Sequence, residues 1–240
     1  MRKADYGRLG VVTLFAVAFA WVESAVVFYL RTLVDRLEPY QPDPLPLVVG
    51  IVWVEIVREA ATLILLAAVG ILAGRNRASR LGYGLIAFGV WDIFYYLFLV
   101  PMTGWPRSLM DWDLLFLIPL PWWGPVLAPM LIALLMILWG TMVTQIEGLQ
   151  AVALSNRHVW GVSALGIGLA LWVFMADAIR VAPQGEAALR QLLPEHFNWT
   201  LFVVALALMS APVWQLGLHR VRAGRLRSAI DFRSGTEDSK

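Results

Sequence analysis

The sequence predicts an all-α integral membrane protein: a polytopic bundle of about six transmembrane helices with both termini in the cytoplasm. Hydrophobic residues make up 60% of the chain and charged residues only 15%, whereas an ordinary soluble domain is about 25% charged. The apolar residues are grouped into runs of roughly 20, which is the length of a helix that crosses a bilayer. Because these runs do not alternate apolar and polar side chains as barrel strands do, we expect helices. A soluble enzyme, a disordered chain and a secreted disulfide scaffold are excluded.

Six apolar runs define the expected helices. They cover residues 9–30, 46–73, 81–100, 122–144, 159–179 and 199–218. Glycine and proline inside these runs are compatible with helices in lipid. The first run also resembles a secretory signal, with a basic start and small residues at Ala18 and Ala20. Because the apolar run continues to Leu30, we expect an uncleaved first helix, and cleavage would leave five spans.

The basic residues predict the orientation. If the N-terminus is cytoplasmic, thirteen of the 19 Lys and Arg residues lie inside, five lie outside and Arg58 lies within a span. This asymmetry favours two cytoplasmic termini in the cell membrane, the cytoplasmic membrane if the source is bacterial. We expect residues 1–222 to form one transmembrane domain in the lipid bilayer, followed by a basic and then polar cytoplasmic tail at 223–240. The basic residues are spread over membrane flanks, so no nucleic-acid partner is expected.

The loop after the third run is unusual. Residues 101–121 read PMTGWPRSLMDWDLLFLIPLP, and their apolar middle is too short to span a bilayer. We expect an interfacial helix or a dip into the outer leaflet, with Asp111 and Asp113 either solvated or at the entrance to the buried charges. The stretch 89–129, which contains GVWDIFYYLFLV and DWDLLFLIPLPWWGP, resembles a segment of an uncharacterised family of bacterial polytopic membrane proteins. The resemblance implies no activity, cofactor or catalytic residue.

The second run carries a polar stripe. Glu55, Arg58, Glu59 and Thr62 are spaced i, i+3, i+4 and i+7, so they share one face of a helix. The other faces of this helix are mainly Val, Ile, Leu and Ala. Such a stripe must face protein or water rather than lipid, and charged residues at this depth indicate a functional site by default.

The first and third runs place further polar residues at a similar depth. Glu23 lies in the first run, and Asp92 shares a helix face with Tyr95 and Tyr96 in the third. At 1.5 Å per residue the charged groups fall within a slab on the order of 10 Å thick. The predicted site has four ion-binding or proton-exchanging acids, one charge partner and three supporting hydroxyls: Glu23, Glu55, Glu59 and Asp92; Arg58; and Thr62, Tyr95 and Tyr96.

The charges of this cluster do not balance. Four carboxylates and one guanidinium leave an excess of three negative charges if all are ionised, so protons or a cation must compensate them. A set of oxygen ligands suits a hard divalent metal such as Mg²⁺, Ca²⁺ or Mn²⁺, with the four acids as the candidate metal ligands. The chain has no Cys, which excludes iron–sulfur clusters and disulfides. Its three His lie near the ends of the runs, which disfavours haem.

Three functions are compatible with these features. The first is binding or translocation of a cation, with Glu59 and Asp92 as the exchanging acids. The second is a membrane enzyme that uses the cluster as a metal site or acid–base set on a lipid-soluble substrate. The third is a non-catalytic subunit of a larger membrane complex, in which the charges only hold helices together. A transporter needs polar access from both faces, and the inner half offers only Thr141, Thr144 and Gln145 as obvious candidates.

Overall fold

The structure, a computed structural model, describes residues 5–35, 38–41 and 49–237. The start of the second predicted run, at residues 46–48, and the last three residues of the tail lie outside the described residues. The helices are α1 (Tyr6–Leu33), α2 (Val49–Ala73), α3 (Arg77–Thr103), α4 (Leu127–Gln145), α5 (Leu149–Val152), α6 (Arg157–Val181), α7 (Glu186–Arg190), α8 (Trp199–Met209) and α9 (Ala211–Glu237). A 3-10 turn covers Ala182–Gln184, and two strands, β1 (Trp112–Phe116) and β2 (Trp122–Pro125), separate α3 from α4.

The prediction of a helical protein built from membrane-length helices is confirmed. Within the described residues, five helices are long and apolar enough to cross a membrane, and α8 with α9 provides a sixth if the pair forms one span. These two helices are bent by 42° relative to each other. Pro212 explains the bend, because its ring lacks an N–H and clashes with the carbonyl four residues earlier. The sixth predicted span is therefore two helices rather than one straight helix.

Helix α3 is the centre of one half of the bundle, where α1, α2 and α4 all pack along it. Its contact with α4 depends on residues without bulky side chains. A Cβ atom on Gly140 would clash with the carbonyl oxygen of Gly82, and one on Gly89 would lie 2.5 Å from that of Ala133. The glycines thus let the backbones of α3 and α4 come into direct contact, as is typical of helix pairs in membranes.

The other half of the bundle is formed by α6, α8 and α9. Phe174 of α6 and Phe202 of α8 are buried against each other in an apolar cluster. A Cβ on Gly166 would lie 2.7 Å from the carbonyl oxygen of Ala205, so α6 and α8 are also in close backbone contact. Strand β2 packs on α6, which fixes the hairpin between the two halves.

The loop after α3 departs from the prediction. The predicted interfacial helix is wrong: the loop forms an antiparallel hairpin in which Asp113 pairs with Gly124 and Leu114 with Trp123. Consequently α4 begins at Leu127, five residues later than the fourth predicted run. The dip into the outer leaflet stays a prediction. Pro119 and Pro121 prevent a helix from continuing through this segment, and the aromatic residues on both sides of the turn favour strands. We call the end of the bundle that carries this hairpin, residues 112–125, the hairpin end.

Candidate functional site

A cavity of about 330 Å³ lies where α1, α2 and α3 meet the hairpin, α4 and α6. Its wall is mainly apolar and aromatic, with polar side chains that converge from four different elements. The polar lining residues are Glu23, Arg31, Glu55, Arg58, Glu59, Thr62, Asp92, Tyr95, Tyr96 and Asp113. The structure therefore brings all eight residues of the predicted site to one cavity and adds Arg31 and Asp113 to them.

Arg58 holds two of the acids. Its guanidinium forms ion pairs with Glu23 of α1 and with Glu55, one turn away on its own helix. The hydroxyl of Thr62 donates a hydrogen bond to the second carboxylate oxygen of Glu23, with an O···O distance of 3.2 Å. The polar stripe of α2 thus faces α1, and the spacing that placed these residues on one face explains the contact.

Glu59 connects α2 to the hairpin. Its Oε2 accepts a hydrogen bond of 3.2 Å from the backbone N–H of Leu117, which directly follows β1. Glu59 is buried, so the carboxylate provides a partner for an N–H group that would otherwise be unsatisfied. Sequence patterns did not indicate this contact, because it depends on a strand that periodicity did not predict.

Three polar atoms beside the cavity have neither a hydrogen-bond partner nor an ion-pair partner among the described residues. They are Oδ2 of Asp92 and the indole nitrogens of Trp91 and Trp122. All three residues line the cavity. Buried polar atoms are rarely left unsatisfied, because each one costs about 1–3 kcal/mol. Here one acceptor and two donors remain available to a molecule that occupies the cavity.

Asp113 and Arg31 are the residues that the predicted site did not include. Asp113 is only 2% exposed; it accepts a hydrogen bond from the Tyr96 hydroxyl at 3.0 Å and pairs with Arg31 at 3.3 Å. The Arg31 guanidinium also lies 4.5 Å from the centre of the Trp105 ring. Burial raises the pKa of the Asp113 carboxyl above its ordinary value, although Arg31 and the Tyr96 hydroxyl act in the opposite direction. Successive side chains of a strand point to opposite faces. A predicted strand at Trp112 would therefore have placed Asp113 on the opposite face from Trp112, toward the cavity.

Asp111 has a different role from Asp113. Its carboxylate accepts hydrogen bonds from the backbone N–H of Arg107, at 2.7 Å, and from the backbone and hydroxyl of Ser108. It closes the turn that leads into β1 and does not contribute to the cavity lining. Of the two acids that flank Trp112, therefore, one shapes the loop and the other faces the site.

The predicted acids are spread over three helices, and ion pairs already engage two of them. No group of three or more His, Asp or Glu residues in the described part of the chain could hold a metal ion. The physical reason is visible at Arg58, which occupies the space between Glu23 and Glu55. Asp177 and Arg180 form a separate ion pair of 2.7 Å on α6, away from the cavity.

Apolar residues follow the polar stripe along α2. Leu66 lies one turn beyond Thr62 on α2, and it is buried with Ile86 of α3 in the core between α1, α2 and α3. Farther along, Gln145 hydrogen-bonds to Thr144 at 3.0 Å and to the Tyr83 hydroxyl at 3.4 Å. None of these last three residues lines the cavity.

No protein-family model, curated protein or solved structure matches this chain. The choice of a function therefore depends on the cavity and on the residues that line it.

Proposed function

We propose that this chain is an integral membrane protein that binds a lipid-soluble small molecule in the cavity at the hairpin end. The observation that carries the proposal is an apolar cavity with a few convergent polar groups. Its volume of about 330 Å³ is in the range of small-molecule sites, which are typically about 300–1,000 Å³ and mostly apolar. A ligand with an apolar body and one polar end fits this lining.

The distribution of polar residues supports binding rather than translocation. Polar groups of α1, α2, α3 and the hairpin line the cavity, whereas Thr144 and Gln145 do not. Leu66 and Ile86, beyond the polar stripe, are buried in an apolar cluster. A translocation path needs polar groups at both ends of the bundle. A binding protein or an enzyme needs one opening.

The carboxylates give the site acid–base capacity. Glu59 already accepts a hydrogen bond from Leu117, whereas Oδ2 of Asp92 has no partner among the described residues. We therefore assign Asp92 to the contact with the polar end of the ligand. A positioned carboxyl of this kind can transfer a proton to or from a bound molecule, which makes an acid–base reaction on that molecule the enzymatic form of the proposal.

Cation binding is the second candidate. The excess of acids over bases in the cavity lining favours it: five carboxylates face two guanidinium groups. A thermal-shift series across pH and with Mg²⁺, Ca²⁺ or Mn²⁺ tests this candidate, and stabilisation by a bound ion follows RT ln(1 + [L]/Kd). A response that disappears in Asp92→Asn would support an ion or proton site. A melting temperature that depends on none of these conditions would exclude it.

The orientation of the chain is part of the proposal. The distribution of Lys and Arg supports cytoplasmic termini, and with cytoplasmic termini the hairpin end and its cavity would face the outer side of the membrane. In this orientation the ligand enters from the outer leaflet or from the outer face.

A matched pair of cavity variants tests the proposed function. Ile132 lines the cavity, whereas Leu134, two residues along α4, is 53% exposed on the outside of the bundle. The probe is decanol that carries a diazirine at the end of its chain, irradiated with the purified protein in maltoside detergent. We expect mass spectrometry to locate the label at cavity residues such as Trp91 and Phe116 in the wild type and in Leu134→Trp. Ile132→Trp fills the cavity and should strongly reduce that labelling.

Two results would contradict the proposed function. One is labelling at the same cavity residues that is unchanged in Ile132→Trp. The other is labelling confined to residues on the outside of the bundle. The melting temperatures of both variants serve as the folding control, since each introduces the same side chain into the same helix.

A further inference from the structure

We propose that the polar end of the ligand is an organic cation, an amine or a quaternary ammonium group, held by Asp92 among aromatic side chains. This inference rests on the proposed function, because it specifies the molecule that the cavity binds. The first support is the charge of the lining: five carboxylates against two guanidinium groups. A cationic ligand reduces this imbalance, and a carboxylate in an apolar site needs a proton or a cation beside it.

The two bases are already engaged, so the site does not favour an anion. Arg58 pairs with Glu23 and Glu55, and Arg31 pairs with Asp113. An anionic ligand would have to displace these carboxylates or lie beside them. Asp92 differs from the paired acids, because its Oδ2 has no hydrogen-bond partner among the described residues.

Aromatic rings flank Asp92 on its own helix. Trp91 and Tyr95 are stacked with 6.1 Å between ring centroids, and Tyr95 contacts Tyr96 edge to face at 5.1 Å. Trp91 is only 6% exposed, and its unpartnered indole nitrogen belongs to the same wall. Aromatic faces attract ammonium groups within about 6 Å, and quaternary ammonium ions are recognised by cages of such rings.

The hairpin contributes aromatic rings to the cavity as well. Phe116 of β1 and Trp122 of β2 lie 5.2 Å apart between centroids, and both line the cavity. Hard metal ions bind through oxygen ligands, whereas these two walls consist of aromatic rings. A poorly hydrated organic cation can be bound by one carboxylate together with several aromatic ring faces. The hydrocarbon part of such a ligand fits the remaining apolar lining.

A competition experiment with three decyl compounds tests the charge of the ligand. Decyltrimethylammonium, decanol and decanoate have the same chain and differ in the head group. Each is added as a competitor of the diazirine decanol in maltoside detergent at neutral pH, and the loss of labelling in the cavity is measured. We expect the ammonium compound to displace the label from the wild type at a concentration lower than decanol by on the order of tenfold or more. Decanoate should be the weakest competitor.

Variants assign the preference to Asp92. Asp92→Asn keeps the shape of the side chain and removes its charge. In this variant decyltrimethylammonium should displace the label at nearly the same concentration as decanol. Asp177→Asn removes an acid outside the cavity and should keep the wild-type preference. The wild-type series decides the charge of the ligand by itself, so the proposal stays testable if Asp92→Asn does not fold.

The outcomes separate this inference from the function on which it rests. Equal displacement by all three compounds, or a preference for decanoate, would overturn the organic-cation proposal and leave a ligand-binding cavity in place. An ammonium preference that survives in Asp92→Asn would overturn the role of Asp92. Absence of cavity labelling before any competitor is added would overturn the proposed function itself.

Discussion

Replacement of Arg58 by leucine should destabilise the protein strongly. The Arg58 side chain is 22% exposed, and those of its partners Glu23 and Glu55 are 7% and 17% exposed, so solvent screens these ion pairs little. Removing one partner of a buried ion pair typically costs about 3–5 kcal/mol, because the remaining charge stays buried and uncompensated. For a chain of this size, roughly 2–4 °C of melting temperature corresponds to 1 kcal/mol. Arg58→Leu should therefore lower the melting temperature by roughly 6–20 °C.

The assay is thermal unfolding in detergent, with a surface ion pair as control. Arg180 pairs with Asp177, but its side chain is 75% exposed, so Arg180→Leu should change stability by less than about 1 kcal/mol. Adding Glu23→Gln to Arg58→Leu removes one uncompensated acid and should recover part of the loss. The reasoning is refuted if Arg58→Leu melts at the same temperature as Arg180→Leu, or if the second substitution gives no recovery.

Three further predictions concern packing, pH and topology. Gly140→Ala should cost about 1–3 kcal/mol by overpacking the contact between α3 and α4, whereas Gly168→Ala, where an added Cβ meets no neighbouring atom within 4 Å, should cost little in the same melts. Burial raises the pKa of the Asp113 carboxyl in the folded protein. The contribution of Asp113 to the free energy of unfolding is therefore complete below the unfolded-state pKa of about 3.9, and it is lost as pH rises through the folded-state pKa. Melting temperatures measured across pH should show the wild type becoming more stable relative to Asp113→Asn as pH falls. A difference in melting temperature that does not change with pH would contradict this. Reporter fusions should place Asn76 in the cytoplasm and Arg107 outside, and the reverse result would invert the proposed orientation.

Helix positions could be predicted from this sequence because lipid imposes a strong constraint. A helix satisfies its own backbone hydrogen bonds, so apolar runs of about 20 residues indicated helices without knowledge of their neighbours. The stripe at Glu55, Arg58 and Glu59 was visible for the same reason, since helical spacing alone places these residues on one face. The contact of Arg58 with Glu23 could not be derived, because it depends on how α1 and α2 pack.

The hairpin could not be predicted by the same reasoning. Its strands are five and four residues long, too short for alternation to be distinguished from an apolar segment of a helix. As a result Asp113 was not separated from Asp111, and Arg31 was counted only as a flanking charge. The contact between Glu59 and Leu117 also depends on this hairpin. The eight residues of the predicted site all lie on helices, whereas Asp113 lies on the hairpin and Arg31 of α1 joins the cavity lining as its partner.

The most direct test of a ligand-binding cavity is to locate a ligand in a crystal of the protein. A decyl alcohol with bromine at the end of its chain can be found by anomalous diffraction at the bromine edge. The proposed function predicts a bromine peak inside the cavity, near Ile132 and Phe174 and below the hairpin, with the hydroxyl toward Asp92. Bromine peaks restricted to the outside of the bundle, with none in the cavity, would contradict it.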